Sequence, residues 1–220
     1  MRPGVYISTV TVPAESYGLV DLASCKIRLG VTGTGDDAFL TLAIADASAA
    51  AIRYMNNPIL AETLSDQIWP WRDAWLGALI DRGPALKLKR WPLISVTSVV
   101  ETIAGVDTTL VEGTDFLADP VYGRLTRLDL YGRPRNWNAD PVTVVYVAGY
   151  ETSPSDLQET VCEMVKARYY ARQRDPAIRA QNVEGVLQTQ YWFGSGPGSD
   201  TDMPPPIQAK LDRYRVPVAM

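Results

Sequence analysis

Pro141–Arg174 reads PVTVVYVAGYETSPSDLQETVCEMVKARYYARQR, and the reading of this stretch decides the fold. Its first part, Val142 to Ala148, is apolar, β-branched and aromatic, the composition of a buried strand. Gly149-Tyr150 breaks the run. A helix start follows, with Ser153 as N-cap, Pro154 at the first helical position and Asp156 completing a capping box. Leu157, Val161, Met164, Val165 and Tyr169 then recur at helical spacing and predict one apolar stripe. A sheet therefore ends here and feeds a long amphipathic helix.

Upstream, the period is two. Leu86 and Leu88 alternate with Lys87 and Lys89, and Ile94, Val96 and Val100 alternate with Ser95, Thr97 and Glu101. Turns are marked at Ala104-Gly105, Glu112-Gly113, Asp119-Pro120, Tyr122-Gly123 and Tyr131-Gly132. Strands this short and closely spaced predict antiparallel pairing. Before them lie two helices. One runs from about Asp21, its N-cap, to Leu29, with Gly30 as its stop. The other is capped by Thr34, keeps Leu40, Ile44, Ala47, Ala51 and Tyr54 on one face, and ends at Asn56-Asn57-Pro58. Residues 1–20 read as an extended strand or arm, and Ile59–Trp69 as a possible strand. Ile178–Gln181 reads as a short helical piece and Val186–Phe193 as extended. Gly194–Ser199 is a linker by composition, Pro204–Pro206 is stiffer, and Ile207–Arg215 is a short amphipathic end.

The fold class expected is α+β: a bundle of three to four helices with an inserted antiparallel β-rich subdomain and an extended C-terminal arm. The division expected is 1–57 for the N-terminal arm and first helices, 58–150 for the β insertion, 151–185 for the long helix and 186–220 for the arm.

Composition narrows the chemistry. The chain has 220 residues, 46% hydrophobic and 21% charged, and a net charge of −4, so no global basic field holds nucleic acid. No apolar run approaches the roughly 20 residues that cross a bilayer. The opening Met1–Tyr6 lacks a signal-peptide core, which makes cytoplasmic synthesis the expectation. The chain has no histidine, which removes Ser-His-Asp and Cys-His catalysis and His-ligated metals. Cys25 and Cys162 lie far apart in sequence and read as free buried thiols.

The remaining candidates weigh lightly. Gly30-x-x-Gly33-x-Gly35 has neither the preceding strand nor the following Gly-Lys-Ser/Thr of a phosphate loop. Asp36-Asp37 and Asp200-x-Asp202 do not fit a calcium loop and read as a helix cap and a solvated linker. Trp69, Trp71, Trp75, Trp91 and Trp137 would serve a stacking surface, or core and interface packing. Lys166, Arg168, Arg172, Arg174 and Arg179 suit a helix C-terminus and also an acidic neighbour.

Tyr146-Val-Ala-Gly-Tyr150, then Pro154-Ser-Asp-Leu157, then Tyr169-Tyr-Ala-Arg172 resemble the head–tail connector (adaptor, or head-completion) proteins of long-tailed bacteriophages. Lys26 and Leu29, then Asp37, Leu40, Ile44, Ala47 and Tyr54, follow that family's paired-helix pattern. Pro92–Val99 is similar to its insertion strand, and Leu211–Arg215 to its C-terminal end. The likeness spans roughly residues 20–190 and the last few. Gly30 stands where the family often has Arg.

The resemblance implies a non-enzymatic virion protein with no cofactor or metal. Copies would form a ring, commonly a dodecamer, beneath the portal protein. The ring would extend the channel through which genomic DNA passes and would present a platform to a stopper or tail-completion protein. It would sit in the virion neck after assembly in the host cytoplasm. The residues it assigns fall in three groups. Tyr191, Trp192, Phe193, Ile207, Leu211, Tyr214 and Arg215 would form the portal-binding arm. Ile44, Ala47, Ala51, Tyr54, Arg168, Tyr169 and Arg172 would form the subunit interface. Trp69, Trp71 and Trp75 would face a neighbour from the β insertion. Two other classes compete: a carbohydrate- or protein-binding module using the tryptophans, and a metal-dependent hydrolase using Asp36 and Asp37.

Overall fold

A computed structural model describes residues 6–70, 85–138, 140–172, 180–183, 187–190 and 203–216. The chain forms two compact units, one from residues 1–15 and 60–151 and the other from 16–59 and 152–220.

The first unit is a pair of antiparallel sheets. Its larger sheet has strand order β1-β2-β8-β4-β5. The ranges are β1 Tyr6–Val12, β2 Glu62–Ile68, β4 Leu93–Ile103, β5 Val106–Leu110 and β8 Val142–Ala148. The smaller sheet has order β3-β7-β6, from Ala85–Lys87, Arg124–Arg127 and Phe116–Asp119. Leu64, Val99, Leu110, Val142, Val144 and Tyr146 of the large sheet share one core with Leu86, Phe116 and Leu125 of the small sheet. The predicted strand at Val142–Ala148 is β8, central in its sheet with every second residue buried. Ile59–Trp69 contains β2, and residues 1–20 contain β1, which pairs with β2 from Tyr6↔Ile68 onward. That pairing carries β1 into the sheet unit and not with the two helices that follow it.

The predicted phase of β4 is corrected. Its core-facing residues are Leu93, Val96, Val99 and Glu101, opposite Ala148, Tyr146, Val144 and Val142. Two register shifts each insert one residue into β4, so the inward spacing becomes three, three and two instead of strict alternation. Ile94 is left 40% exposed, whereas Glu101 is fully buried. The β4–β5 hairpin turns on Ala104-Gly105, with φ values of 51° and 82°, the paired left-handed geometry that two-residue hairpin turns favour.

The second unit is helical. α1 (Leu22–Leu29) starts where the Asp21 carboxylate accepts the Ser24 amide at 2.8 Å. It stops at Gly30, whose φ of 71° lets its amide and that of Val31 return to the Ile27 and Lys26 carbonyls. α2 (Asp37–Met55) buries Leu40, Ala43, Ile44, Ala47, Ser48, Ala51 and Met55, and α3 (Ser155–Ala171) buries Leu157, Val161, Cys162, Val165 and Tyr169. Neither has its predicted side-chain cap. Asp36 occupies the N-cap of α2 and Pro154 that of α3, without side-chain cap bonds. The Asp156 carboxylate accepts the Leu157 amide and the Tyr214 hydroxyl, so no capping box forms.

α2 is 19 residues with a mean hydropathy of 1.3, long and apolar enough by length and composition to cross a membrane. It is not an unbroken apolar run, since Asp37, Asp46 and Arg53 interrupt it. Its buried stripe against α3 accounts for part of the apolarity, and Leu42, outside that stripe, stays 69% exposed.

Gln181, predicted helical, lies instead in β9 (Ala180–Val183), which pairs with β10 (Leu187–Gln190). The latter falls within the segment predicted to be extended. The chain's described end is α4 (Pro205–Leu211) and a single 3-10 turn, Asp212–Tyr214.

Candidate functional site: assembly surfaces on the two units

On the helical unit, α2 and α3 border an open cavity of about 470 Å³ lined by Phe39, Leu42, Ala43, Asp46, Arg168, Ala171 and Arg172. One end carries a charged cluster. The Arg172 guanidinium bonds the Asp36 carboxylate at 2.6 Å and lies 5.0 Å from the Phe39 ring centroid and 4.6 Å from that of Tyr169. The Tyr169 hydroxyl donates to the same Asp36 at 2.7 Å. These two donors, the tyrosine first, hold Asp36 below the usual carboxylate range. The same bond raises Tyr169. Further along, Arg168 pairs with Asp46 at 3.2 Å. The result is an apolar floor between half-exposed charges of both signs, which suits contact with a protein and provides no arrangement for bond cleavage.

Of the predicted subunit-interface residues, Arg168 and Arg172 line this cavity, and Tyr169 shares Asp36 with Arg172. Ile44, Ala47 and Ala51 do not line it. They are buried within the unit at 6%, 0% and 0% exposure and pack the chain's own helices together. The sequence reading followed the inward stripe of α2 and missed Phe39, Leu42 and Asp46.

The C-terminal segment is docked on its own helical unit. Ile207 and Leu211 are buried. Around them, Lys210 bonds Glu163 at 2.7 Å, the Tyr214 hydroxyl donates to Asp156 at 2.7 Å, and the Tyr54 hydroxyl donates to Asp212 at 2.9 Å. The Val216 amide donates to the Met55 carbonyl at 2.9 Å, and Arg215 lies over the Tyr54 ring at 5.1 Å. The short amphipathic end expected over Ile207–Arg215 is thus the helix α4 and the turn after it. Ile207 and Leu211 serve the chain's own core here, and Tyr54 serves the docking of the tail. Tyr191, Trp192 and Phe193 lie outside the described residues.

In the sheet unit, the carboxylate of Asp66 is fully buried and accepts four bonds. The donors are the Tyr6 hydroxyl, the Ser8 hydroxyl at 2.5 Å, the Tyr146 hydroxyl at 2.6 Å and the Lys89 amide at 3.0 Å. Burial first, then the adjacent Asp66 charge, raises both tyrosines far above their ordinary value. Glu101 is held by Arg127 at 3.3 Å and by the Asn138 amide at 3.3 Å. Arg127 also reaches the Asp115 carbonyl at 2.6 Å. Glu62 pairs with Arg90 at 2.8 Å. Each cluster ties strands together, as satisfied buried charges do.

The tryptophans among the described residues stand in different settings. Trp137 is buried with its indole N–H on the Leu125 carbonyl at 3.2 Å. Trp91 is 39% exposed and carries Lys87 over its ring at 4.9 Å. Trp69 is half-buried at the end of β2, and Trp71 and Trp75 lie outside the described residues.

Among the described residues no group of three or more His, Cys, Asp or Glu side chains is placed to hold a metal ion. Asp36 and Asp37 bond Arg172 and Lys26 respectively. Cys25 and Cys162, distant in sequence, are both buried and in side-chain contact, with Cys162 pushed up to about 12 chiefly by desolvation.

No protein-family model and no curated protein matches the chain. Solved structures do. A chain in the neck of an empty GTA particle, computed with C6 symmetry, aligns with a TM-score of 0.51 and 19% identity over 97% of both chains. A chain in the virion of a native gene transfer agent (GTA) particle gives 0.52 and 18% over 97% of both. A chain in the neck of the native particle, computed with C12 symmetry, gives 0.50 and 19%, again over 97% of both. The chain thus shares its α+β fold with a chain in each of these three GTA structures.

Proposed function

We propose that this protein is a structural component of a virion neck, a head–tail connector that forms a ring beneath the capsid portal. The carrying observation is that the fold aligns over 97% of its length, with no large insertion or loss, to chains in particle necks computed with C6 and C12 symmetry. The ring is twelvefold, DNA passes through it without sequence-specific contact, and it bridges the portal protein to a stopper or tail-completion protein. It assembles in the host cytoplasm.

The residues assigned to these roles follow from exposure and placement. The α2–α3 surface built from Leu42, Asp46, Arg168 and Arg172 faces a neighbouring helical unit. Lateral packing accounts for a helix as apolar as α2 with Leu42 left 69% exposed. Portal contact falls to the segment around Tyr191, Trp192 and Phe193, preceding the docked α4. Trp69, Trp71 and Trp75 keep the role of meeting a neighbour in the stack.

The test is co-sedimentation of purified protein with portal-bearing capsids. Saturable binding near twelve copies per portal supports the reading, and capsids that sediment without the protein at any concentration contradict it.

A further inference from the structure

β1 is an unusual edge strand. YISTVTV contains no charge and no proline, the devices with which native proteins blunt sheet edges. Its one such device is a register shift between Val10 and Val12 at its far end. Ile7 is 49%, Val10 43% and Val12 56% exposed. Because Tyr6, Ser8 and Val10 pair with Ile68, Asp66 and Leu64, Val10 stands on the face that is covered elsewhere in the sheet, and Ile7 on the opposite face. β1 is thus open on both faces and along its outer side among the described residues. It is nevertheless held firmly at one end, by Tyr6 and Ser8 on the buried Asp66.

The other edge of the same sheet is β5, also open among the described residues. It carries one charge, Asp107, already bonded to Thr102 at 2.7 Å. Val106 beside it is 66% exposed. Every neighbouring pair in the order β1-β2-β8-β4-β5 is antiparallel, so the two outer strands run in the same direction.

We infer that β1 of one copy adds to β5 of the next in parallel, so that the five-stranded sheets join edge to edge around the ring. This rests on the ring reading above. A head-to-tail contact uses two different surfaces, as a closed cyclic assembly requires, whereas pairing of β1 with β1 would stop at a dimer. Main-chain hydrogen bonds then hold the contact and the exposed valines and isoleucine are covered. The absence of charge on β1, a hazard for a free edge, becomes the condition for it.

The test uses Thr9→Cys combined with Thr109→Cys. Both positions are exposed and lie on the sheet face opposite Leu64 and Leu110, while the native thiols are buried. On portal-bearing capsids carrying the variant, a short bismaleimide is expected to give a ladder of covalent multimers that neither single variant gives. Adding Ile7→Lys and Val12→Lys is expected to abolish the ladder while leaving the thermal midpoint within a few degrees of the parent. Rings on the portal without a ladder would overturn the sheet-edge contact and leave the neck reading intact. Dimers from Thr9→Cys alone would overturn it in favour of β1–β1 pairing. Absence of both rings and portal binding would overturn the two together.

Discussion

Asp66 in the sheet unit and Asp36 in the helical unit each accept a tyrosine hydroxyl, and there the likeness ends. Asp66 is buried and takes four donors from β1, β2's neighbours and the residues after β3. Asp36 is partly exposed and takes two, both from one turn of α3. In the first unit, ionic groups are enclosed and fix strands to one another. In the second they lie on an accessible surface beside an apolar floor. The difference teaches that charge placement here separates the groups that specify the fold from those free to meet another chain.

Substitution breaks or sharpens that contrast. The largest effect is expected from Asp66→Ala, which leaves the Tyr6, Ser8 and Tyr146 hydroxyls and the Lys89 amide without their acceptor, and from Arg127→Ala, which leaves the buried Glu101 only the Asn138 amide and the more distant Arg135 at 4.0 Å. Each should cost about 3–5 kcal/mol in urea or thermal unfolding. A loss below about 1 kcal/mol from either would erase the distinction. Next is Leu211→Ala, a fully buried truncation expected to cost about 2–4 kcal/mol and to speed proteolysis around Lys210 and Arg213 as α4 loosens. Unchanged proteolysis would mean that the tail is held by its polar contacts alone.

The alkaline limb gives a graded readout. Tyr6 and Tyr146 have folded values raised above the unfolded tyrosine value of about 10. Their stabilising contribution is therefore complete below that value and falls as pH rises beyond it. Tyrosine absorbance should accordingly show two residues that ionise only with unfolding, and Tyr6→Phe with Tyr146→Phe should remove that component. The smallest stability effect is expected from Asp46→Ala or Arg168→Ala. These partners are 71% and 45% exposed at the side chain, so each should change stability by less than about 1 kcal/mol. If lateral packing uses this surface, they should instead reduce the amount of protein recovered on portal-bearing capsids.

Much of the fold was legible in the sequence because its signals were local. β8 is a run of β-branched residues, α1 carries its own Asp21 start and Gly30 stop, and the hairpin turns are marked by glycine. What was not legible depended on distant partners. Two register shifts in β4 turn Glu101 inward, and only the strand opposite reveals them. Asp156 left the capping role for its own Leu157 amide and Tyr214. Cys25 meets Cys162 only once α1 and α3 pack. The candidate site suffered most from choosing a helix face: Ile44, Ala47 and Ala51 form the regular stripe, and a regular stripe points inward. The surface residues that remain, Leu42 above all, are conspicuous only when burial is known.

Imaging the necks of portal-bearing capsids assembled with and without this protein tests the central claim most directly. A coaxial twelvefold ring beneath the portal that accommodates both the sheet unit and the helical unit is the predicted result. Identical portal density in the two preparations, with the protein remaining in solution as a monomer, would contradict it.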